Sequence, residues 1–166
     1  SSDLTERLKI GSHLIFPGRA PVRLARVLAQ LDRLSNGRLL LIAVLGLPDP
    51  GEVAAQGVDR SARGAMIDEM VPLLRRLWAG ETVTHSGEHY ELVDASIDPL
   101  PVQEPLELWF GGAVPSALSR VGRLGDGYIP GLSTPQEGAE KKLAVQHAAQ
   151  EFSRVVDPEH FGVNLS

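Results

Sequence analysis

Leu39-Leu40-Leu41-Ile42-Ala43-Val44-Leu45 is a continuous apolar run. A run of this length without polar alternation is typical of a strand covered on both faces, as in parallel sheets. Before it, Pro21 opens a helix with an apolar stripe at Leu24, Leu28, Leu31 and Leu34, and Ser35-Asn36-Gly37 ends that helix. This succession of helix, stop signal and buried strand indicates an α/β protein.

Further strands and helices alternate on both sides of this run. The apolar segment Leu8 to Phe16 ends at Pro17-Gly18 and predicts a strand. Three later strands are predicted at Leu108 to Phe110, Gly127 to Pro130 and Phe161 to Leu165, with helices at Pro115 to Leu124 and Gln136 to Val155. Alternation of this kind implies parallel pairing, in a barrel or an open doubly wound sheet.

The strand count indicates part of a barrel. An eight-stranded barrel takes about 250 residues, whereas this chain has 166 and five predicted barrel strands. We therefore expect an α/β fold, a partial (β/α)8 TIM barrel that lacks the first two strands and the last strand. Residues 1–166 are predicted to form a single domain.

The middle of the chain departs from simple alternation. Leu47 to Arg60 holds several prolines and glycines and predicts a long connection of the kind that lines binding sites. Arg63 to Ala79 has helical spacing, and Pro72 is expected to kink or split that helix. Thr82 to Glu107 predicts a small hairpin followed by an extended segment.

Composition excludes several classes of function. A formal charge of -5 and the absence of a Lys/Arg cluster argue against a nucleic-acid partner. The chain has no cysteine, which excludes disulfides and thiolate metal sites. No apolar run approaches the roughly 18 residues that a membrane-spanning helix needs, and no signal peptide is evident, so we expect a cytoplasmic protein without a membrane partner.

Three stretches together resemble the bacterial luciferase-like family, barrel oxidoreductases that use FMN or the deazaflavin coenzyme F420. The most specific is Leu31-Asp32-Arg33-Leu34-Ser35-Asn36-Gly37-Arg38, at the end of the first helix. The others are Trp78 to Gln103, which resembles the family's barrel insertion, and Leu108-Trp109-Phe110-Gly111-Gly112 followed by Leu124 to Tyr128. The resemblance implies an oxidoreductase or monooxygenase that uses reduced FMN or coenzyme F420 on a small organic substrate, and a homodimer or larger assembly.

Gly111-Gly112-Ala113 joins a predicted strand to the helix that begins at Pro115. Backbone N–H groups without helical partners converge at such a junction and favour an anion. The residues alone also fit a plain tight turn. The resemblance implies that Gly111, Gly112 and Ala113 bind the phosphate of the cofactor.

The resemblance places Ser12-His13-Leu14 beside the flavin ring, with His13 as the candidate catalytic residue. An imidazole titrates near neutrality, so His13 would donate to the flavin or protonate a substrate. Some family members have a non-proline cis peptide here, and His13-Leu14 is the matching bond. The alternative is an ordinary trans strand with a hydrogen-bonded core histidine.

One strand departs from the family pattern. Many members carry alternating glycines along the strand that matches Ile42 to Gly46, where the barrel wall approaches the cofactor. Ile42 and Val44 replace two of them, and only Gly46 remains, as a further cofactor-binding candidate. Either the ring lies further from this strand or the flavin site is altered.

Other polar residues have structural interpretations. His85 and His89 are spaced for a metal pair on a helix, but Gly87 between them favours a solvated hairpin, and no metal site is predicted. Asp126 is expected to bond local backbone amides in a turn. Arg38 is expected to form an ion pair or cap a helix.

Two other functions are open. The chain could belong to a flavin-binding protein without turnover, which the replaced glycines at Ile42 and Val44 favour. It could also be a packing unit that binds nothing by itself.

Overall fold

The computed structural model describes residues 8–46 and 49–162. The chain is α/β, as predicted, and divides into unit 1 (Ser1–Leu40 and Leu45–Leu106) and unit 2 (Leu41–Val44 and Glu107–Ser166). Its elements are β1 (Ile10–Ile15), α1 (Pro21–Leu34), β2 (Leu39–Val44), α2 (Pro50–Gln56), α3 (Arg63–Trp78), β3 (Val83–Ser86), β4 (Glu91–Ala95), β5 (Leu108–Gly111), α4 (Pro115–Leu124), β6 (Gly127–Ile129) and α5 (Pro135–Glu151).

Unit 2 is built on parallel strands. β2 pairs with β5, with Ile42 opposite Trp109, and β5 pairs with β6, with Phe110 opposite Tyr128. Phe161 forms a single parallel bridge with Tyr128, where the last predicted strand begins, and residues 163–165 of that predicted strand lie outside the described residues. The strand order within unit 2 is β2-β5-β6.

Helices α4 and α5 pack closely within unit 2. A Cβ at Gly122 on α4 would lie 2.5 Å from the backbone nitrogen of Ala149 on α5, so only glycine permits this approach. The N-terminus of α5 is closed by a capping box, in which Thr134 and Glu137 each accept a backbone hydrogen bond from the other.

Unit 1 is organised around the contact between α1 and α3. α1 buries Leu24, Ala25 and Leu28, and the indole of Trp78 on α3 donates to the carbonyl of Ala25 at 3.1 Å. Pro72 lies within α3 and is exposed. The sequence predicted a kink or a split at this proline, but α3 continues through it without a split. The packing of the two helices therefore extends along an uninterrupted α3.

The predicted hairpin is present as the antiparallel pair β3 and β4. Glu69 on α3 fixes it by accepting from the ring of His85 at 2.9 Å and from the backbone N–H groups of His89 and Tyr90 at 3.0 and 2.9 Å. Burial raises the pKa of Glu69, but these hydrogen bonds outweigh that effect and leave its pKa below the usual value. The hairpin is thus bound to α3 through a carboxylate.

A second carboxylate, which is fully buried, joins distant parts of unit 1. Asp32, at the end of α1, is 0% exposed. Its oxygens accept from the backbone N–H groups of Val102 and Gln103 at 2.8 and 2.9 Å and from the Gln103 side chain at 2.6 Å. The same Gln103 amide donates to the carbonyl of Leu39 at 2.8 Å, at the start of β2. We call this set of bonds the Asp32 latch.

Among the helices of residues 8–46 and 49–162, none is both long enough and apolar enough to cross a membrane.

The Asp32 latch makes a prediction about stability. Asp32→Ala leaves the part-buried N–H groups of Val102 and Gln103 without this acceptor, and we expect it to lower the free energy of unfolding by about 3 kcal/mol. Asp98→Ala is the control, because Asp98 is exposed, and should change it by less than about 0.5 kcal/mol. Urea unfolding measures both variants, and equal effects would contradict the role given to the latch.

Candidate functional site

The junction between β5 and α4 has a backbone that only glycine permits. β5 ends at Gly111 and α4 begins at Pro115. Gly112 has φ +126, in the region that side chains rarely adopt, and a Cβ there would lie 2.8 Å from Cβ of Ala117. The Ala117 methyl thus fills the place of that Cβ, while Gly112 itself is exposed. We call residues 111–113 the glycine loop.

The N-terminus of α4 carries no side-chain cap. Its N-cap residue, Val114, makes no side-chain hydrogen bond, and the first turn holds no acidic residue. In the same unit, by contrast, the N-terminus of α5 is occupied by its own Thr134 and Glu137. An anion at an exposed helix start gains about 0.3 to 1 kcal/mol from the helix dipole, so the glycine loop and α4 form a site with positive polarity.

Tyr128 is a member of this site that the sequence analysis did not single out. Its hydroxyl donates to the carbonyl of Gly112 at 2.6 Å, and the residue is 1% exposed. A phenol is protonated at neutral pH even at its ordinary pKa of about 10, and burial raises the pKa of Tyr128 further. The sequence feature that could have identified Tyr128 is the predicted parallel pairing of its strand with β5. In the structure this pairing puts Tyr128 opposite Phe110, and Gly112 follows Phe110 by two residues.

The residues that replace the family's glycines lie on β2. Ile42 is 3% exposed and lies opposite Trp109. Val44 borders the glycine loop, because a Cβ at Gly111 would lie 3.4 Å from its Cγ1. The departure from the family pattern is thus a branched side chain directly beside Gly111.

The remaining predicted site residues lie in unit 1. Ser12 and His13 are exposed on β1, Leu14 is half-buried, and Gly46 follows β2 with φ +87. Among the described residues, none is hydrogen-bonded to the His13 ring.

The His13-Leu14 bond is trans, which is one of the two alternatives that the sequence left open. The cis bonds of the described residues are Asp98-Pro99 and Glu104-Pro105, both before proline. His13 and Leu14 lie within an ordinary extended strand, where a trans bond avoids the roughly 3 to 4 kcal/mol that a non-proline cis bond costs.

Asp126 bonds across strands rather than within a local turn, which corrects the sequence prediction. Its carboxylate accepts from the N–H of Leu108 at 2.9 Å, and its own N–H donates to the Leu108 carbonyl at 2.9 Å. The imidazole of His160 donates through Nδ1 to the Asp126 carbonyl at 2.9 Å. Asp126 therefore aligns the starts of β5 and β6. Arg38 caps α1 as expected, by donating to the Ser35 carbonyl at 2.7 Å.

Within the part of the chain that the structure describes, no group of three or more His, Cys, Asp or Glu side chains is arranged to hold a metal.

Unit 1 has a cavity of about 360 Å³ lined by Arg75, Trp78, Ala79, Leu100, Gln103, Glu104, Pro105 and Leu106. None of the predicted cofactor-binding residues lines that cavity.

The conformation of Gly112 makes a second prediction. Gly112→Ala should lower the free energy of unfolding by about 1 to 3 kcal/mol, because of the strained φ and the contact with Ala117. Gly131→Ala is the matched control in the same unit, since nothing lies within 4 Å of its Cβ position. Chemical denaturation measures the free energy of unfolding of both variants. An unchanged value for Gly112→Ala would refute the close contact between residue 112 and Ala117.

Comparison with solved proteins shows the fold. The chain is similar to a monooxygenase from Streptomyces bottropensis, with 24% identity, a TM-score of 0.83, and coverage of 98% of this chain and 50% of that one. A coenzyme F420 dependent tetrahydromethanopterin reductase from Methanopyrus kandleri has 19% identity and a TM-score of 0.81, with coverage of 98% and 50%. The oxygenating constituent of 3,6-diketocamphane monooxygenase from a Pseudomonas putida plasmid, in complex with FMN, has 18% identity and a TM-score of 0.80, with coverage of 98% and 49%.

The chain spans about half the length of these solved proteins. The likeness confirms the predicted partial (β/α)8 barrel. Residues 2–165 match the family model described as luciferase-like monooxygenase. The chain therefore belongs to the luciferase-like monooxygenase family.

Proposed function

We propose that the protein is an oxidoreductase that uses reduced FMN or coenzyme F420 on a small organic substrate, with the glycine loop holding the phosphate of the cofactor. The observation that carries this proposal is the exposed backbone at Gly112, with φ +126, in front of the uncapped start of α4. Family membership supports the reaction class. The similar solved proteins include one named for coenzyme F420 and one in complex with FMN.

The residues at the junction fit a phosphate group. A phosphate needs close approach to backbone N–H groups, and Gly112 is exposed and adds no side chain of its own. The first turn of α4 contributes no acidic side chain that would repel the anion. Ala113 and Val114 are exposed, so this part of the backbone is accessible.

The protein's own residues would position the cofactor ring and supply a proton to the substrate. A bound reduced flavin or deazaflavin would supply the hydride or activate oxygen. In this proposal Ser12, Leu14 and Gly46 lie on the ring side, and the exposed imidazole of His13 holds or delivers a proton to the substrate. A homodimer is the assembly that the family resemblance leads us to expect.

A second candidate is a flavin-binding protein of the same family without turnover. The observation that favours it is Val44, whose Cγ1 would be 3.4 Å from a Cβ at Gly111. The branched side chain of Val44 would leave less room for the cofactor between β2 and Gly111. Turnover of the reduced cofactor with oxygen or another electron acceptor distinguishes the two, because the carrier retains cofactor without oxidising it catalytically.

Cofactor retention tests the proposal. We expect the protein to retain FMN or F420, and Ala113→Glu to raise the Kd of that cofactor by about tenfold or more, since a carboxylate at the loop repels the phosphate. The matched control is Ala139→Glu, which adds the same charge at an exposed position of α5. Absorbance after gel filtration and a binding titration give the result.

Retention of neither cofactor by the unsubstituted protein would refute the cofactor proposal. Equal Kd values for Ala113→Glu and Ala139→Glu would refute the placement of the phosphate while leaving the cofactor in place.

A further inference from the structure

The peptide group between Gly112 and Ala113 is held at its carbonyl end. This bond is trans, so the carbonyl of Gly112 and the N–H of Ala113 point in opposite directions within one rigid plane. The Tyr128 hydroxyl donates to that carbonyl at 2.6 Å. The N–H of Ala113 therefore points away from Tyr128.

Tyr128 is itself fixed by strands on both sides. In β6 it lies opposite Phe110 of β5. On its other side, its N–H donates to the carbonyl of His160 and its carbonyl accepts from the N–H of Gly162, both at 2.9 Å. Its ring also meets the ring of Phe161 edge to face, with centroids 6.4 Å apart. The backbone bonds fix the main chain of Tyr128, and its burial and the Phe161 contact restrict its ring.

We infer that Tyr128 is a positioning residue, which orients the Gly112-Ala113 peptide so that the Ala113 N–H donates to the cofactor phosphate. The inference rests on the proposed function of the glycine loop. A hydrogen bond to a carbonyl also polarises its peptide group, which makes the N–H at the other end a stronger donor. Tyr128 thus acts on the phosphate through the backbone and does not touch it.

Tyr128→Phe, compared with Tyr90→Phe, tests this role. Both changes remove a phenolic hydroxyl, but among the described residues the Tyr90 hydroxyl has no hydrogen-bond partner. FMN and riboflavin serve as a ligand pair that differs only in the phosphate. Binding is measured below the unfolding temperature of each variant.

Tyr128→Phe should raise the Kd for the phosphorylated ligand roughly 3- to 10-fold, the effect of one hydrogen bond. It should leave the Kd for the phosphate-free ligand unchanged, and Tyr90→Phe should change neither value. Equal weakening of both ligands by Tyr128→Phe would overturn the inference, as would weakening of neither.

The amide resonance of Ala113 gives a second readout that does not need a flavin. In the unsubstituted protein it should shift on addition of inorganic phosphate, and the shift should be smaller in Tyr128→Phe. An Ala113 amide that does not respond in the unsubstituted protein overturns the inference, whether or not the variant folds. Failure of the protein to retain either cofactor contradicts the proposed function instead, so the two failures are distinct.

Discussion

Parallel pairing of β2, β5 and β6 is the constraint on which the candidate site depends. Parallel strands end at the same edge of a sheet, and in barrels of this kind the loops at that edge build the site. Here the edge gathers Val44, the glycine loop and the hydroxyl of Tyr128 in unit 2. Asp126 supports the arrangement from the opposite ends of β5 and β6, through its reciprocal bonds with Leu108.

The elements were predictable because their signals are local. Pro21 and Gly37 mark the ends of a helical segment, and the apolar run of residues 39–45 marks a buried strand. The glycine loop was predictable for the same reason, since two glycines stand between a short apolar strand and a proline that opens a helix. Its phosphate role remains a prediction from the family resemblance and the backbone geometry.

The contacts that fix the site and the core were not predictable, because they join residues far apart in the chain. The Tyr128 hydroxyl meets a carbonyl 16 residues earlier, and Asp32 meets N–H groups 70 and 71 residues later. No periodicity marks such pairs. Asp126 was assigned to a local turn because the sequence showed only its neighbour Gly127, whereas the parallel register brings Leu108 to it.

The two candidate cofactors share a phosphate and differ in their ring, and different residues would meet these two parts. FMN and F420 both carry a phosphate, so the glycine loop, α4 and Tyr128 would serve either one. Backbone N–H groups recognise charge and shape rather than ring chemistry, and choice between flavin and deazaflavin must therefore come from side chains that meet the ring. On the family resemblance these are Ser12, His13 and Leu14 on β1, with Val44 on β2 limiting how closely any ring approaches Gly111.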